Sequence, residues 1–440
     1  MAAQSVAVIG GGVAGMSAAL DLSRHNLDVH LVEKDFWLGG RAIEYNCKAD
    51  GQCQQCGACL AEKKLREVNE AKNIQVHLAS EIAEVRRNSG YQLVLNQAPL
   101  FTAGREQKAL QSVYRSGDPQ GLVLRGPSKN NHPLFVLDPD RAELARGNPD
   151  YAVLQQSLDL DRAGQQIEIQ AQAVVLATGF QPFTPQQIGT YHYAVLDNVV
   201  SALDMERIRK AKGSYLRPGD GRRPQRVSFI QCVGSRSEAL GHPWCSRVCC
   251  PYALRMARAI RAEHPDTEIT FFYMDLQNPG RDREQFLSSC RSDFRFIRMM
   301  PVDILPGQDG SVAVSYMPPG GQRIESEAFD LVILSVGVEP GGDNSRLSRL
   351  LDIPLDRHGF LQAGARGYQA SAGNEGCFLA GTSTGPMDIA ASIEQAGLAV
   401  KELLTYLGRQ EKKHYGYDRR SILHSGSGYR RELDRHLHSR

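Results

Sequence analysis

The sequence predicts an α/β protein with two Rossmann-type, nucleotide-binding-like domains, the second of which carries thiols where a dinucleotide loop would stand. Three observations predict it. A β-branched run, Val6 to Ile9, ends in Gly10-Gly-Gly12-Val13-Ala14-Gly15. A later apolar run, Arg226 to Val233, ends at Cys232 in place of a glycine-rich turn. Two further short apolar runs, Ala173 to Gly179 and Cys377 to Gly381, read as strands that bring the chain back to the first sheet.

The first run opens a strand, turn, helix, strand unit. Met16 to Asn26 has helical apolar spacing, and Leu27 to Val32 reads as a second strand closing on Glu33 and Lys34. In such a unit of about thirty residues, G-x-G-x-x-G becomes a specific signal. The glycines let the backbone approach a pyrophosphate, and the helix N-terminus favours its charge. Glu33 stands where a carboxylate accepts from an adenosine ribose, so the expected ligand is a dinucleotide without a 2′-phosphate. The plain alternative is a glycine-rich turn with no ligand. Gly39-Gly40-Arg41 follows, and a second glycine pair after the acidic strand resembles the flavin side of two-dinucleotide-domain flavoproteins. FAD is therefore expected over NAD. Ala177-Thr178-Gly179 resembles the crossover of such proteins, and Gly381 the end of their last flavin-domain strand. Pro386 is expected to start a helix with apolar positions Ile389, Ile393, Val400 and Leu403. Its first residues, Met387, Asp388 and Ile389, would face the flavin ring.

The expected organisation is residues 1–97 as the first part of the FAD domain, with a Cys-rich loop at 47–59, and 98–166 as a polar, loop-rich insertion. Residues 167–225 form a crossover and a linker around Pro218-Gly-Asp-Gly221. Residues 226–340 form the second domain, 341–408 return to the FAD domain, and 409–440 form a basic tail, mobile or partner-docking. Fifty-one basic residues against forty-nine acidic ones, a formal charge of +2, exclude nucleic acid as the main partner. No leader-like start and no apolar run of membrane-spanning length are evident. A cytoplasmic chain is expected, peripheral to a membrane only through partner subunits.

Eight of the ten cysteines fall into two sets of four. Cys47, Cys53, Cys56 and Cys59 form C-x5-C-x2-C-x2-C in a polar stretch with Gly51 and Gly57. The ferredoxin-like run lacks a later cysteine at Lys63, so Cys47 would serve as fourth ligand of an iron–sulfur cluster. Zinc competes, since four thiolates also close a tetrahedral zinc site. Cys232, Cys245, Cys249 and Cys250 form C-x12-C-x3-C-C, with the last two opening a helix, Tyr252 to Ala262. Four thiolates converging at a helix start suit an iron–sulfur cluster; redox disulfide chemistry of the adjacent pair is the alternative. Cys290 and Cys377 read as core thiols, and Trp37 and Trp244 as packing residues. Gly381-Thr-Ser383-Thr-Gly385 matches the hydrolase pattern G-x-S-x-G, but the flavin context already accounts for its glycines.

Ile230-Gln-Cys232-Val-Gly-Ser-Arg236, Trp244-Cys245-Ser-Arg-Val-Cys249-Cys250, Phe271-Phe-Tyr-Met-Asp275 and Gly385-Pro-Met387-Asp388 resemble the A subunit of heterodisulfide reductase. Its relatives include the flavoprotein subunits of the quinone-interacting membrane-bound oxidoreductase and of the heterodisulfide-reductase-like complex of sulfur oxidisers. The resemblance runs to about residue 408. It implies a thioredoxin-reductase-like fold with FAD and a [4Fe-4S] cluster, for which Cys232, Cys245, Cys249 and Cys250 carry over as ligands; the Cys47 set is the candidate for a second. It also implies electron transfer with other iron–sulfur subunits; a homodimer and membrane or quinone-linked subunits are further candidate partners. Two departures matter. The ferredoxin-like runs of added domains in the methanogen type are missing, and the Cys47 loop looks closest to the sulfur-oxidiser branch while Pro218-Gly-Asp-Gly221 looks closer to the quinone-linked one. The expected function is thus FAD and iron–sulfur electron transfer within a heterodisulfide-reductase-like complex. Its alternatives are a self-sufficient NAD(P)H-dependent disulfide reductase, an assembly scaffold, and the flavoprotein of a quinone-linked membrane-bound complex.

Overall fold

The computed structural model describes residues 4–116, 121–144, 149–277, 283–363 and 370–414. Most of the expected basic tail, from 415 onward, lies outside them.

Five parallel strands form the first sheet, in the order Cys377–Leu379, Ala173–Leu176, Ser5–Ile9, Asp28–Val32, Ile74–His77. Parallel strands are covered on both faces, which is why Val6, Ala7 and Val8 are all apolar and fully buried. One face packs on the helices Val13–Arg24, Ala58–Glu70 and Ile389–His414 through Met16, Leu22, Leu65, Ala396 and Leu403. Opposite, Ala7, Ile9, Val174 and Leu176 meet Ile82, Leu93 and Ile169 of an antiparallel sheet, Ser80–Arg87, Tyr91–Gln97 and Gln165–Ala171. The first helix starts at Val13, three residues before its expected start, with Gly12 as N-cap and no side-chain cap. Its first N–H groups are therefore left for a ligand.

The stretch read as a polar, loop-rich insertion leaves the antiparallel sheet at Gln97 and returns at Gln165, which pair with each other. It is not loop alone. Phe101, Leu110, Val113, Leu122, Phe135 and Leu154 give it a core of its own. It braces the helix Ala58–Glu70, since Ser128 Oγ donates to Glu62 Oε1 at 2.7 Å and Asn69 Nδ2 to the Asn130 carbonyl at 2.8 Å.

A second parallel sheet follows the order Val199–Ser201, Leu331–Val336, Arg226–Val233, Glu268–Phe272, Arg295–Ile297. Val199–Ser201 and the helix Ala202–Lys212 thus belong to this sheet, although the sequence pattern places them in a linker before residue 226. A three-residue strand carries no period to read. Its helix has a capping box, Ser201 with Asp204. The last helix begins at Ile389, not at Pro386: Asp388 Oδ1 accepts from the Ala391 N–H at 2.8 Å and caps it. It runs to His414, past the expected boundary at 408. Among the described residues no helix is long and apolar enough to cross a membrane.

Candidate functional site

The dinucleotide loop divides its glycines by job. Gly10 holds φ +105°, and a Cβ there would lie 2.3 Å from the Ala177 carbonyl oxygen. At Gly15 it would lie 1.8 Å from the Gly10 oxygen, so this glycine lets helix and strand close up. At Gly12 the nearest atom would be Gly40 Cα at 4.0 Å. That open space, above a helix N-terminus without a cap, is where a pyrophosphate fits. Gly39 and Gly381, at φ +114° and +72°, press on Ile43 and Ala14.

Glu33 is buried at the strand end, and Oε2 accepts from the Gly11 N–H at 2.6 Å while Oε1 accepts from the Asp35 N–H at 2.9 Å. Burial, and then the neighbouring Asp35 charge, push its carboxyl from 4.5 up to about 7. The unfolded chain releases this proton near its ordinary value while the folded chain keeps it. The flavin-free protein should therefore lose stability as pH rises from about 4.5 to about 7, by up to about 3 kcal/mol. Urea midpoints across that window check it, and Glu33→Gln should flatten the slope.

One cleft joins these groups. Gly10, Gly12, Val13, Ala14, Glu33, Lys34, Gly40, Arg41, Ala177, Thr178, Gly179, Met387, Asp388 and Ile389 line it, as do Cys56 and Cys249. Gly15, Gly39 and Gly381 do not line it; they act through packing. Lys34 is turned to an ion pair with Asp343 at 2.8 Å. Thr178 Oγ1, Ser335 Oγ and Asn344 Oδ1, all from cleft-lining residues, are buried without a hydrogen-bond partner. Such polar atoms fit a polar ligand along the cleft.

The strand Arg226–Val233 bulges between Ile230 and Val233, and Cys232 adopts φ +59°. A Cβ on Gly234 would fall 2.0 Å from the Phe183 ring. Phe183 thus packs directly on the backbone that follows this strand. Cys249 and Cys250 are the first residues of the helix Cys249–Glu263. The Cys249 thiol hydrogen-bonds to both Cys232 and Cys250 and is itself held well above its ordinary value by those bonds. Cys232 is pulled down to about 7, by the Cys249 hydrogen bond first and then by the Arg236 guanidinium. Cys250 is lowered by the Cys249 hydrogen bond and by the Gln277 backbone. Cys245 is raised, chiefly by burial, although its Sγ accepts from the Arg247 N–H at 3.3 Å. Cys249 thus interacts with both Cys232 and Cys250, and Cys245 lies beside them; four thiols are the donor chemistry a cluster needs, although no three of them form a ready-made metal site.

The Cys47 set is not drawn together in this way. Cys47, Cys53 and Cys59 are exposed and Cys56 is half-buried. Gly51, Gln55 and Gly57 have left-handed backbone among them, and nothing lies within 4 Å of a Cβ built on Gly51. Such a loop leaves room to wrap a bound group. Among the described residues no three His, Cys, Asp or Glu side chains form a ready-made metal site.

Cys290 and Cys377 are buried core thiols, pushed up by burial to about 11 and about 12. Ser383 is fully buried with its Oγ donating to the Ala380 carbonyl at 3.0 Å, which removes the hydrolase reading. Trp37 and Trp244 pack and donate to the Pro133 and Val338 carbonyls at 2.8 and 2.9 Å.

Tyr45, Asn46, Lys48, Tyr252 and Arg255 also line the cleft, and no sequence motif marks them. Lys48, between two cysteines of a polar loop, is buried and paired with the fully buried Glu206. A lysine in a polar loop reads as solvated, and no local signal joins it to a residue so distant in the chain.

Comparison with known proteins agrees with the geometry. The family described as pyridine nucleotide-disulphide oxidoreductase matches residues 4–214. The solved Lactococcus lactis thioredoxin reductase superposes with a TM-score of 0.53 at 14% identity, covering 92% of this chain and 99% of that one. The chain has the thioredoxin-reductase-like fold with two dinucleotide-type domains, and the family match over its first half supports an FAD-dependent oxidoreductase. Within that fold class it is similar along nearly its whole length to the A subunits of heterodisulfide reductases. The A subunit of the ferredoxin:CoB-CoM heterodisulfide reductase of Methanosarcina mazei is 30% identical over 93% of this chain and 54% of its own length. The second iron-sulfur A subunit of the CoB--CoM heterodisulfide reductase of Methanopyrus kandleri is 30% identical over 92% of this chain and 64% of its own. The chain thus spans roughly half to two thirds of the length of these relatives.

Proposed function

We propose that the chain is the FAD- and iron–sulfur-bearing electron-transfer subunit of a heterodisulfide-reductase-like complex in sulfur or anaerobic energy metabolism. One observation carries this reading: a residue of each cysteine set, Cys56 and Cys249, lines the cleft built by the dinucleotide loop. When bound, FAD supplies a centre that exchanges electrons in pairs, and [4Fe-4S] clusters supply centres that exchange them singly.

The chain's own residues divide the work. The N–H groups after Gly12 hold the pyrophosphate, Glu33 takes the ribose, and Met387, Asp388 and Ile389 bring the start of the last helix to the ring. Cys232, Cys245, Cys249 and Cys250 hold one cluster, and Cys47, Cys53, Cys56 and Cys59 a second. The second domain carries Cys232-Val-Gly-Ser where a glycine-rich dinucleotide loop would stand, which favours protein partners over a nicotinamide dinucleotide as the electron source. Those partners are iron–sulfur subunits of the same complex, with a ferredoxin as the outside partner, by analogy with the named Methanosarcina mazei relative. The chain works in the cytoplasm and reaches a membrane only through other subunits.

The test is anaerobic mixing of the flavin-loaded chain with electron donors. Reduced ferredoxin should bleach the flavin absorbance and NADH should leave it unchanged; rapid bleaching by NADH alone would sink the proposal.

A further inference from the structure

The helix Cys249–Glu263 starts with two thiols of one set and grips the loop of the other. From Pro251 to Ile260 it is buried except at Tyr252, Arg255 and Arg258, spaced one per turn, and all three reach toward the Cys47 loop. Tyr252 Oη donates to Glu206 Oε1 at 2.7 Å. Glu206 Oε2 accepts from the Asn46 backbone N–H at 2.9 Å and from Asn46 Nδ2 at 2.7 Å, and Glu206 Oε1 is paired with Lys48. One carboxylate therefore holds the residues on both sides of Cys47. Arg255 Nε donates to the Gln54 carbonyl at 2.7 Å, between Cys53 and Cys56, and Arg258 Nε to Asp50 Oδ2 at 2.6 Å.

A loop with three left-handed residues is costly in conformational entropy to hold in one shape. A buried ion pair contributes little net stability, because desolvation offsets its attraction. What Lys48 and Glu206 do contribute is register: with Asn46 and Tyr252 they fix where Cys47 lies relative to the helix that begins at Cys249. We infer that Glu206 is a positioning residue for the centre on Cys47, Cys53, Cys56 and Cys59. The helix Cys249–Glu263 is the strut that sets this centre's distance from the one at the helix's own start. This rests on the two-cluster reading proposed above.

The test uses the full chain, purified anaerobically, as wild type, Glu206→Gln and Arg258→Met. Glu206→Gln keeps the shape but loses the charge, while Arg258→Met removes a partly exposed rung and keeps the test alive if Glu206→Gln does not fold. Iron per flavin should fall to about half in the variants, with the EPR signal of the Cys232 set and the flavin retained. Amide hydrogen exchange across residues 46–59 should speed up by about tenfold or more, in metal-free protein as well. Unchanged exchange in that loop, in variants that keep wild-type iron, overturns the inference. If wild type carries iron for one cluster only, the two-cluster reading fails, and the exchange rates still judge the positioning role.

Discussion

Cys249→Ala should strip about four iron and about four sulfide from each chain and leave the flavin in place. Cys249 is the thiol that Cys232 and Cys250 both contact, so its loss unties the set at its centre. The flavin should persist because Cys249 is only one of the residues lining the cleft, and the loop at Gly12, Glu33 and Thr178 are left unchanged. The fold persists as well. The change removes one buried sulfur at the first turn of a helix whose remaining core, Ala253, Leu254, Met256 and Ala257, is untouched. A stability loss of about 1–2 kcal/mol is the ceiling for a deletion of that size. Iron and sulfide assays, flavin absorbance and a urea titration on one preparation check all of this. A variant that keeps its iron would show that the helix start is not a ligand position.

Gly12→Ala and Gly15→Ala should separate the two jobs of the dinucleotide loop. Gly12 has φ −73° and ψ −174°, which alanine adopts without strain, and its added methyl meets nothing closer than 4.0 Å. Its flavin-free stability should stay within about 0.5 kcal/mol of wild type. The methyl does stand in the space left for the pyrophosphate, so the purified variant should carry little flavin. Gly15→Ala drives a methyl to 1.8 Å from the Gly10 oxygen and forces the helix Val13–Arg24 off the sheet. That overpacking should cost about 1–3 kcal/mol even without flavin. Thermal unfolding of both flavin-free variants, with flavin content measured before stripping, distinguishes the outcomes. Equal instability would contradict the division of roles.

The parts of this fold that were legible in the sequence are those whose signal is local. Gly10, Gly12 and Gly15 between Val6–Ile9 and the first helix announce a strand–turn–helix by spacing alone, and Arg226 to Val233 is a strand by its apolar run. What stayed hidden is set by contacts between distant segments. Val199–Ser201 joins the second sheet because Leu331–Val336 offers it an edge, and three residues cannot show that in advance. The core at Phe101, Leu110 and Phe135 is assembled from short elements whose exposed faces dominate the composition. Asp388 outcompetes Pro386 for the start of the last helix because its carboxylate accepts from the Ala391 N–H. Within the site, the cysteines could be counted, but not the clamp. Glu206 looks like any acidic residue of an amphipathic helix until Asn46, Lys48 and Tyr252 are seen around it. The backbone of Cys232, left-handed at a strand end, was likewise invisible in its residue type.

The proposed function places one FAD site between two cluster-bearing cysteine sets, of which Cys56 and Cys249 line the shared cleft. Its most direct test is metal, sulfide and flavin analysis of the anaerobically purified chain, with EPR after reduction. One FAD, about eight iron and about eight sulfide per chain are expected, with EPR signals from two clusters. One FAD with no iron, or zinc bound in the Cys47 loop, would contradict it.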